Sequence, residues 1–349
     1  MSSFSSPIFI VGANRSGTTL LRLMLNAHSR IAIPEEMTYF RSQFDGESIE
    51  NWRSPNLSSV SYKALVAEFV DRTVALHPEL DMSSLKARIL NDGPQDLRRP
   101  YQEVLEAWAR QNGKERWGEK TPGNLFYVDI INQMFPDAIF LYVVRDPRAG
   151  VASMMKTDFF PNDVVFNAMS RRKHADVGED LLKRHIPEER WCTIRYEDLT
   201  SIPEQTLRRV CDLIGEAYEP SMLTFYRTAD AYMKKEAATT FNAAANQPVT
   251  AARIDAWRDV LSDRDVSLIE RICGAEMRRW DYHPTGLPLP LGARLEIKIK
   301  EAYWFGQTLR NRGVRHYTVK HVLFARLRTR WHRLKKGLSV RLGLSSSSP

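Results

Sequence analysis

The chain has 349 residues, of which 43% are hydrophobic and 26% charged, and its formal net charge is +8 at pH 7. This composition is typical of a globular protein with a sizeable core, and no apolar run approaches the roughly 20 residues of a membrane-spanning helix. The amino-terminal segment MSSFSSPIFIV has no basic start and no long apolar stretch, so we predict no signal peptide. Three isolated cysteines without metal-binding spacing favour a cytoplasmic protein.

The positive charge is concentrated at the carboxyl end of the chain. Residues 293–349 contain 14 basic and 2 acidic residues, a net of +12, whereas the remainder contains 36 basic and 40 acidic residues, a net of −4. The stretch HPTGLPLPLG, at 283–292, reads as a linker between the two parts. We therefore predict one domain over residues 1–291 and a basic, helical tail over residues 292–349.

Strands and helices alternate along the domain. The segments IFIV (8–11), AIFLYVV (138–144) and WCTIRY (191–196) predict buried strands, and TTLLRLMLNAH (18–28) predicts a helix with one apolar face. This alternation is typical of a parallel sheet with helices on both faces, so the predicted fold class is a three-layer α/β protein. Residues 40–115 are predicted to be a mostly helical insertion that shapes a substrate cleft.

The first predicted strand is followed by a glycine-containing loop, GANRSGTT. Gly12 and Gly17 have the spacing of the phosphate-binding loop G-x-x-x-x-G-K-[ST], but Thr18 replaces the lysine, and the nearest cation is Arg15. Backbone N–H groups at a helix N-terminus bind phosphate without any particular side chain. The loop adds hydroxyl donors on Ser16, Thr18 and Thr19. Its composition and its place between a strand and a helix predict a phosphate-binding site.

Three later segments complete a pattern. The second strand runs into YVVRDPRAGVASMM, with Arg145 at the strand end and Ser153 eight residues later, while GEKTPGN contains Lys120 and IRYEDL contains Tyr196. Together with the loop, these segments resemble the sulfotransferases that use 3′-phosphoadenosine 5′-phosphosulfate (PAPS), in the branch of tyrosylprotein and bacterial carbohydrate-type enzymes. The resemblance covers residues 7–283 and implies the P-loop NTPase-like sulfotransferase fold.

The resemblance also implies a role for each segment. Arg15 and the rest of the loop would hold the 5′-phosphosulfate of PAPS, and Lys120 would reach the bridging oxygen and the sulfonate. Arg145 and Ser153 would grip the 3′-phosphate, with Tyr196 near the nucleotide. PAPS is thus the predicted co-substrate and 3′,5′-ADP the product, with no metal required.

A segment late in the chain resembles the one that closes over the co-substrate in this family. It reads NQPVTAARIDAWRDVLS, and its candidate binding residues are Arg253 and Asn246. The R-K-G signature of the cytosolic members is absent from it. Arg253 is therefore predicted to contact the nucleotide as part of a lid.

Transfer of a sulfonate to a hydroxyl needs a base for the acceptor proton and cations for the leaving phosphate. In the tyrosylprotein branch the base is a glutamate 21 residues past the loop arginine, a position that Glu36 occupies here. Glu35 is the alternative acid, and His28 is predicted to cap the first helix. The predicted catalytic residues are Glu36, Lys120 and Arg15.

The favoured acceptor is a hydroxyl on a saccharide or glycolipid, and peptide tyrosine and a small natural product stay open. An ATP-dependent kinase with a degenerate phosphate loop is the alternative enzyme; it needs Asp146 as a Mg²⁺ ligand and leaves Thr18 unexplained. A non-catalytic adaptor that binds membrane or nucleic acid through the tail is an alternative of another class. It leaves all four core motifs unexplained.

The tail has an apolar stripe among its basic residues, formed by Val319, Leu323, Leu327, Trp331, Leu334 and Leu338. Steps of three and four residues predict a basic amphipathic helix, which is typical of a peripheral anchor on an anionic membrane surface, here the inner face. The alternative is that the stripe packs on the protein's own core or on a second subunit in a homodimer. No recognition motif for nucleic acid accompanies the charge, so nucleic acid is the least favoured partner.

Overall fold

The computed structural model describes residues 6–37, 39–40, 59–76, 83–91, 96–158, 160–229 and 247–310. Five strands form a sheet in the order β2-β3-β1-β4-β5, and each neighbouring pair runs parallel. The strands are β1 (Ile8–Gly12), β2 (Ile31–Ala32), β3 (Arg116–Lys120), β4 (Ile139–Val144) and β5 (Trp191–Arg195).

Helices connect the strands and cover the sheet. In chain order they are α1 (Thr18–Asn26), α2 (Ser59–Leu76), α3 (Ser83–Asn91), α4 (Arg98–Gln111), α5 (Val128–Met134), α6 (Pro147–Met155), α7 (Val164–His185), α8 (Tyr196–Ser201), α9 (Pro203–Ile214), α10 (Asp263–Arg279) and α11 (Ala293–Arg310). Short 3₁₀ segments span Pro122–Tyr127, Glu188–Arg190, Pro220–Arg227 and Ala251–Arg253.

Both faces of the sheet are buried. In β1, Phe9 and Val11 pack on one side in a cluster that includes Tyr101 of α4, whereas Ile8 and Ile10 pack on the other side with residues of α1 and α9. Alternate residues of a strand point to opposite faces, so a strand that is apolar at every position must be covered twice. The predicted three-layer α/β fold is confirmed.

The strands β2 and β3 were not among those predicted from the sequence. β3 reads RWGEK and lacks the pattern of a buried strand, yet all five of its residues are buried. Its charged side chains have partners: Arg116 Nη1 lies 3.1 Å from Glu216 Oε1, and the Glu119 carboxylate accepts hydrogen bonds from Thr121 and Asn124. Charged groups are tolerated in a protein interior when they are paired in this way.

The predicted insertion contains the helices α2, α3 and α4. The ring of Tyr39 lies 4.5 Å from that of Phe69 and 4.8 Å from that of Tyr101, between centroids. Tyr101 also stacks on Phe9 of β1, with centroids 6.4 Å apart. These aromatic contacts anchor the insertion on the sheet. Its role in shaping an acceptor cleft stays a prediction.

The carboxyl-terminal part is described as far as residue 310. Helix α11 buries Ala293 and Ile297 in a cluster formed with α6, α7 and α10. The amphipathic helix predicted from the stripe of residues 319–338 lies outside the described residues, and the division into domain and tail stays a prediction. Within the described ranges, no helix combines the length and the apolar character needed to cross a bilayer.

Candidate active site

The loops at the carboxyl edge of the sheet carry most of the predicted site residues. The loop between β1 and α1 turns sharply, because Arg15 has a φ of 64° and Gly17 a φ of 102°. Gly17 is the N-cap residue of α1 and, having no side chain, leaves the first backbone N–H groups of the helix without a side-chain cap. These donors and the positive end of the helix dipole favour an anion in front of the loop.

The ring of Tyr196 packs between Gly17 and the guanidinium of Arg145. A Cβ at Gly17 would lie 2.5 Å from Tyr196 Cδ2, so a larger residue would have to displace the ring. The guanidinium carbon of Arg145 lies 3.9 Å from the centroid of the same ring, which is a cation–π contact. Tyr196 is the first residue of α8 rather than the last of a strand, because β5 ends at Arg195. The ring therefore links two of the predicted motifs.

Arg15 and Arg145 are neighbours with like charge. Arg15 Nε donates a hydrogen bond to Ser153 Oγ at 2.9 Å, and Arg145 Nη1 lies 3.4 Å from the main-chain oxygen of Arg15. Burial, and then the positive charge of Arg145, lowers the pKa of Arg15, and burial lowers the pKa of Arg145. Arg145 Nε is buried and has no hydrogen-bond partner among the described residues. An unused donor beside two crowded cations favours a polyanionic ligand.

The predicted lid segment reaches this pair. Arg145 Nη2 lies 3.4 Å from the main-chain oxygen of Arg253, in the 3₁₀ segment Ala251–Arg253. Thr250 caps that segment by accepting a hydrogen bond from Ala252 N at 3.2 Å. The side chain of Arg253 is exposed. The structure therefore brings Arg253 to the site through its main chain, and Asn246 lies outside the described residues.

Glu36 and Lys120 form an ion pair. Lys120 Nζ donates to Glu36 Oε1 at 2.6 Å, with Lys120 buried at the end of β3 and Glu36 43% exposed. The charge of Glu36 also acts to raise the pKa of Arg15, against the lowering described above. Glu35 lies elsewhere, with Oε1 3.9 Å from Nη2 of the buried Arg22. The three predicted catalytic side chains are thus close together, and Glu35 is directed to Arg22.

Glu119 is a site residue that the sequence analysis missed. Its buried carboxylate accepts hydrogen bonds from Thr121 and Asn124, and Met37 N lies 3.4 Å from its Oε1. Met37 directly follows Glu36, so Glu119 holds the chain next to the predicted base. Burial raises the pKa of Glu119 to about 7, and the charge of Glu36 acts in the same direction. Its position inside the GEKTPGN motif was the available signal.

The loop hydroxyls have different surroundings. Ser16 Oγ and Ser16 N both donate to Ala13 O, at 2.7 Å and 3.2 Å. The hydroxyl predicted to donate to a phosphate thus braces the turn in this structure. Thr18 is buried and Thr19 is half-buried in the first turn of α1. The contacts of these two residues with a ligand stay predictions.

Asp146, which the kinase alternative needs for Mg²⁺, is engaged inside the protein. Its Oδ2 lies 2.6 Å from Arg148 Nη2, and Arg148 Nη1 lies 2.7 Å from Glu270 Oε1. Arg148 is therefore buried and does not face solvent. Glu197 braces the same region, accepting hydrogen bonds from Asp146 N and from the Tyr282 hydroxyl. The residues that the structure describes include no group of three or more potential metal ligands of the His, Cys, Asp or Glu type.

The prediction that His28 caps the first helix is wrong. His28 Nε2 lies 2.9 Å from Ala217 O, and its Nδ1 accepts from Arg30 N at 3.1 Å. The ammonium group of Lys114 instead donates to Asn26 O at the end of α1. A lysine serves this end well because its charge also opposes the negative end of the helix dipole.

Comparison with known proteins identifies the family of the chain. The sequence profile of the sulfotransferase family matches residues 7–220, more than half of the chain. The chain belongs to the sulfotransferase family. The family predicted from the four motifs is confirmed.

Individual relatives are distant. The omega-hydroxy-beta-dihydromenaquinone-9 sulfotransferase Stf3 of Mycobacterium bovis is 26% identical over 260 residues, which cover 62% of this chain and 65% of Stf3. A protein-tyrosine sulfotransferase of Drosophila melanogaster is 25% identical over 228 residues, which cover 62% of this chain and 39% of that protein. This chain thus spans less than two thirds of the length of either relative.

A solved structure shares the fold of this sulfotransferase. The sulfotransferase domain from the curacin biosynthetic pathway superposes with a TM-score of 0.53 at 21% identity, covering 82% of this chain and 99% of that domain. The predicted sulfotransferase fold is confirmed.

Proposed function

We propose that this sulfotransferase moves the sulfonate group of PAPS to an acceptor hydroxyl and releases 3′,5′-ADP. The observation that carries the proposal is the pair Arg15 and Arg145, two neighbouring cations beside the N-terminus of α1, one with an unpartnered buried donor. A ligand with several negative charges removes their repulsion and satisfies that donor. PAPS offers such groups at two separate points, the 5′-phosphosulfate and the 3′-phosphate.

The two ends of PAPS fit the two halves of the site. In the proposal, Arg15 and the backbone N–H groups that begin α1 hold the 5′-phosphosulfate. Arg145 and Ser153 hold the 3′-phosphate, while Tyr196 and the main chain of the lid segment support Arg145. The hydrogen bond from Arg15 to Ser153 joins the two halves.

Glu36 is the proposed base. The acceptor oxygen forms a new bond to sulfur, the bond from sulfur to the bridging phosphate oxygen breaks, and the acceptor proton passes to the Glu36 carboxylate. Once Glu36 is neutral, Lys120 loses its ion-pair partner and is placed to stabilise the charge on the leaving phosphate. Protein cations supply the neutralisation in this scheme, so it requires no metal.

The proposed acceptor is a hydroxyl on a saccharide or glycolipid. Stf3, whose name gives a hydroxylated dihydromenaquinone as its substrate, supports a hydroxyl carried on a lipid. The protein-tyrosine sulfotransferases keep peptide tyrosine as the second candidate. In either case we place the enzyme in the cytoplasm, with glycolipid acceptors reached at the inner membrane face. A homodimer is the alternative use of its carboxyl-terminal region.

Transfer of radiolabelled sulfonate from PAPS tests the proposal. The acceptor sets are saccharides, hydroxyl-bearing lipids and tyrosine peptides, each incubated with the wild type, Glu36→Gln and Glu35→Gln. We expect label on a saccharide or lipid with the wild type and Glu35→Gln, and about 10²- to 10⁴-fold slower transfer with Glu36→Gln. Label confined to tyrosine peptides would replace the acceptor, and labelling from ATP but not from PAPS would overturn the donor.

A further inference from the structure

Helix α11 has two unlike faces. Ala293 and Ile297 are buried against the domain, at 3% and 8% exposure. The opposite face carries exposed apolar side chains at intervals of four residues, with exposures of 62%, 59% and 59%: Leu295, Ile299 and Tyr303. Leu291, which is fully exposed, lies just before the helix. Residues four apart lie on the same side of a helix, so these side chains form a stripe. We call it the α11 stripe.

The exposed charges beside the α11 stripe are cationic. Arg294 and Lys298 are exposed and flank it. The two acids of α11, Glu296 and Glu301, are half-buried and form ion pairs with arginines of the domain, at 2.5 Å and 2.8 Å. The negative charges of the helix thus face the protein, as does Lys300, which pairs with Asp163 and Glu296. The exposed charges, on Arg294 and Lys298, are positive.

The sequence after α11 is also positively charged. Residues 311–349 contain 10 basic residues and no acidic residue. An apolar stripe with basic edges is the arrangement of helices that lie in a lipid–water interface, and basic residues nearby are attracted to anionic headgroups. A second copy of this chain would bring an equally cationic segment, of net charge +12 over residues 293–349, against the first. Charge complementarity therefore favours anionic lipid over self-association.

We propose that the α11 stripe docks the enzyme on an anionic lipid surface. Leu295, Ile299 and Tyr303 enter the boundary between headgroups and acyl chains, and Arg294 and Lys298 lie among the headgroups. This surface belongs to the described helix rather than to the predicted tail helix. It gives the proposed location of the enzyme a physical basis, and it holds or fails independently of the assignment of PAPS.

Vesicle flotation of the full chain tests the docking. The vesicles are pure phosphatidylcholine, or phosphatidylcholine with about 30% phosphatidylglycerol, at ionic strengths of about 0.1 M and about 1 M. The triple variant Leu295→Ser/Ile299→Ser/Tyr303→Ser is compared with Ile202→Ser, a matched control that changes a 48% exposed apolar residue elsewhere. The double variant Arg294→Gln/Lys298→Gln separates the role of charge.

We expect the triple variant to lower the vesicle partition coefficient about tenfold or more, and Ile202→Ser to leave it unchanged. For each positive charge removed, the double variant should lower the partition coefficient about fivefold, and only on anionic vesicles. Vesicle binding equal in the wild type and the triple variant would overturn the proposal. A second result would also overturn it: the wild type is a dimer, the triple variant is a monomer, and both bind vesicles equally. In that case a second copy of the chain would cover the stripe.

Arg171 of α7 is almost fully buried, at 1% exposure. Its Nη1 donates to Asn14 O at 3.0 Å and its Nη2 donates to Arg145 O at 2.9 Å. Asn14 belongs to the loop after β1, and Arg145 directly follows β4. One guanidinium therefore ties together the main chains that carry Arg15 and Arg145, which are far apart in the sequence.

The guanidinium of Arg171 is tightly packed by its neighbours. A Cβ at Gly150 of α6 would overlap the Arg171 guanidinium. The carboxyl group of Glu276 also borders this guanidinium, with Oε1 3.7 Å from Arg171 Nη2. The planar guanidinium of arginine can donate to the two main-chain oxygens at once. The ammonium group of a lysine lacks this forked arrangement of donors.

We infer that Arg171 is a positioning residue for the co-substrate site. It fixes the spacing between Arg15 and Arg145 through their backbones, and it need not touch the nucleotide. The inference rests on the proposed function, because its readout is the affinity for 3′,5′-ADP.

Titration of 3′,5′-ADP into the wild type and four variants tests this inference, with the thermal unfolding midpoint recorded for each. Arg171→Met and Gly150→Ala should weaken affinity about tenfold or more, and Arg171→Lys should fall between Arg171→Met and the wild type. Arg172→Met is the matched control, because Arg172 is the neighbouring arginine and pairs instead with Glu301 of α11. It should leave the affinity unchanged.

The outcomes separate the inference from the proposed function. Wild-type affinity for 3′,5′-ADP in Arg171→Lys and Gly150→Ala, even with a lowered unfolding midpoint, would reduce Arg171 to a purely structural residue. A wild type that does not bind 3′,5′-ADP would overturn the proposed function and this inference with it.

Discussion

Arg15 Nε lies 2.9 Å from Ser153 Oγ, although 138 residues separate the two along the chain. Arg15 belongs to the loop after β1, and Ser153 belongs to α6 after β4. These strands are neighbours in the sheet, with Gly12 paired to Val143. The two predicted half-sites are therefore adjacent in the structure.

Replacing either arginine of this site should weaken the binding of 3′,5′-ADP. Arg15→Met and Arg145→Met each remove a charge-assisted contact, which contributes about 1.5–3 kcal/mol, or about 10- to 150-fold in affinity. Isothermal titration measures the effect. Arg208→Met is the control, since Arg208 forms an exposed ion pair with Glu204 on α9. If Arg145→Met binds 3′,5′-ADP as tightly as the wild type, Arg145 does not contact the 3′-phosphate.

Glu36→Gln should bind 3′,5′-ADP normally and lose turnover. The substitution keeps the shape of the side chain and removes the proton acceptor, a loss of about 10²- to 10⁴-fold in rate. Glu35→Gln is the matched control because it changes the adjacent acid, which lies near Arg22 instead of Lys120. Single-turnover transfer from PAPS compares the two. Normal transfer by Glu36→Gln with loss in Glu35→Gln would assign the base to Glu35.

Gly17→Ala should impair both folding stability and binding. The new Cβ would meet the Tyr196 ring, and the φ of 102° is unfavourable for alanine, so we expect a loss of about 1–3 kcal/mol in the free energy of unfolding. Gly215→Ala separates the two causes. Gly215 also has a positive φ, of 72°, but a Cβ there meets no atom of the described chain within 4 Å. Equal affinity for 3′,5′-ADP in both variants would show that the Tyr196 contact is unimportant.

Glu119 should make a contribution to the free energy of unfolding that falls as pH rises from about 4.5 to about 7. Burial raises the pKa of Glu119 to about 7, so the folded protein binds this proton more tightly than the unfolded chain does. The stabilisation is complete below the unfolded pKa and is lost as pH rises through the folded pKa, by on the order of 1–3 kcal/mol. Glu276, with a pKa also raised to about 7 by burial, adds to the slope.

Urea denaturation at several pH values measures this slope in the wild type and in Glu119→Gln. The variant removes the titrating group, so the stability difference between wild type and variant should shift against the wild type as pH rises through that window. Glu119→Gln/Glu276→Gln should enlarge this shift. A slope in Glu119→Gln equal to that of the wild type would contradict the assignment of the proton to Glu119.

The parts of the molecule that the sequence predicted are those in which local backbone geometry demands particular residues. Gly17 is an example, because a left-handed turn before a helix favours glycine whatever surrounds it. The strand β3 could not be predicted from its composition, since the partners that make its charges tolerable come from elsewhere in the chain. Arg171 was missed for the same reason: its function depends on two carbonyl groups brought together by the fold.

The central claim is that the crowded arginine pair binds a nucleotide with phosphates at both its 3′ and 5′ positions. Isothermal titration of the full chain with 3′,5′-ADP, 5′-ADP and ATP with Mg²⁺ tests it most directly. The ligand 5′-ADP is the matched control, because it also carries two phosphates but none at the 3′ position. We predict that 3′,5′-ADP binds in metal-free buffer about tenfold or more tightly than 5′-ADP or ATP with Mg²⁺. Binding of 5′-ADP or of ATP with Mg²⁺ that is as tight as that of 3′,5′-ADP would contradict the claim.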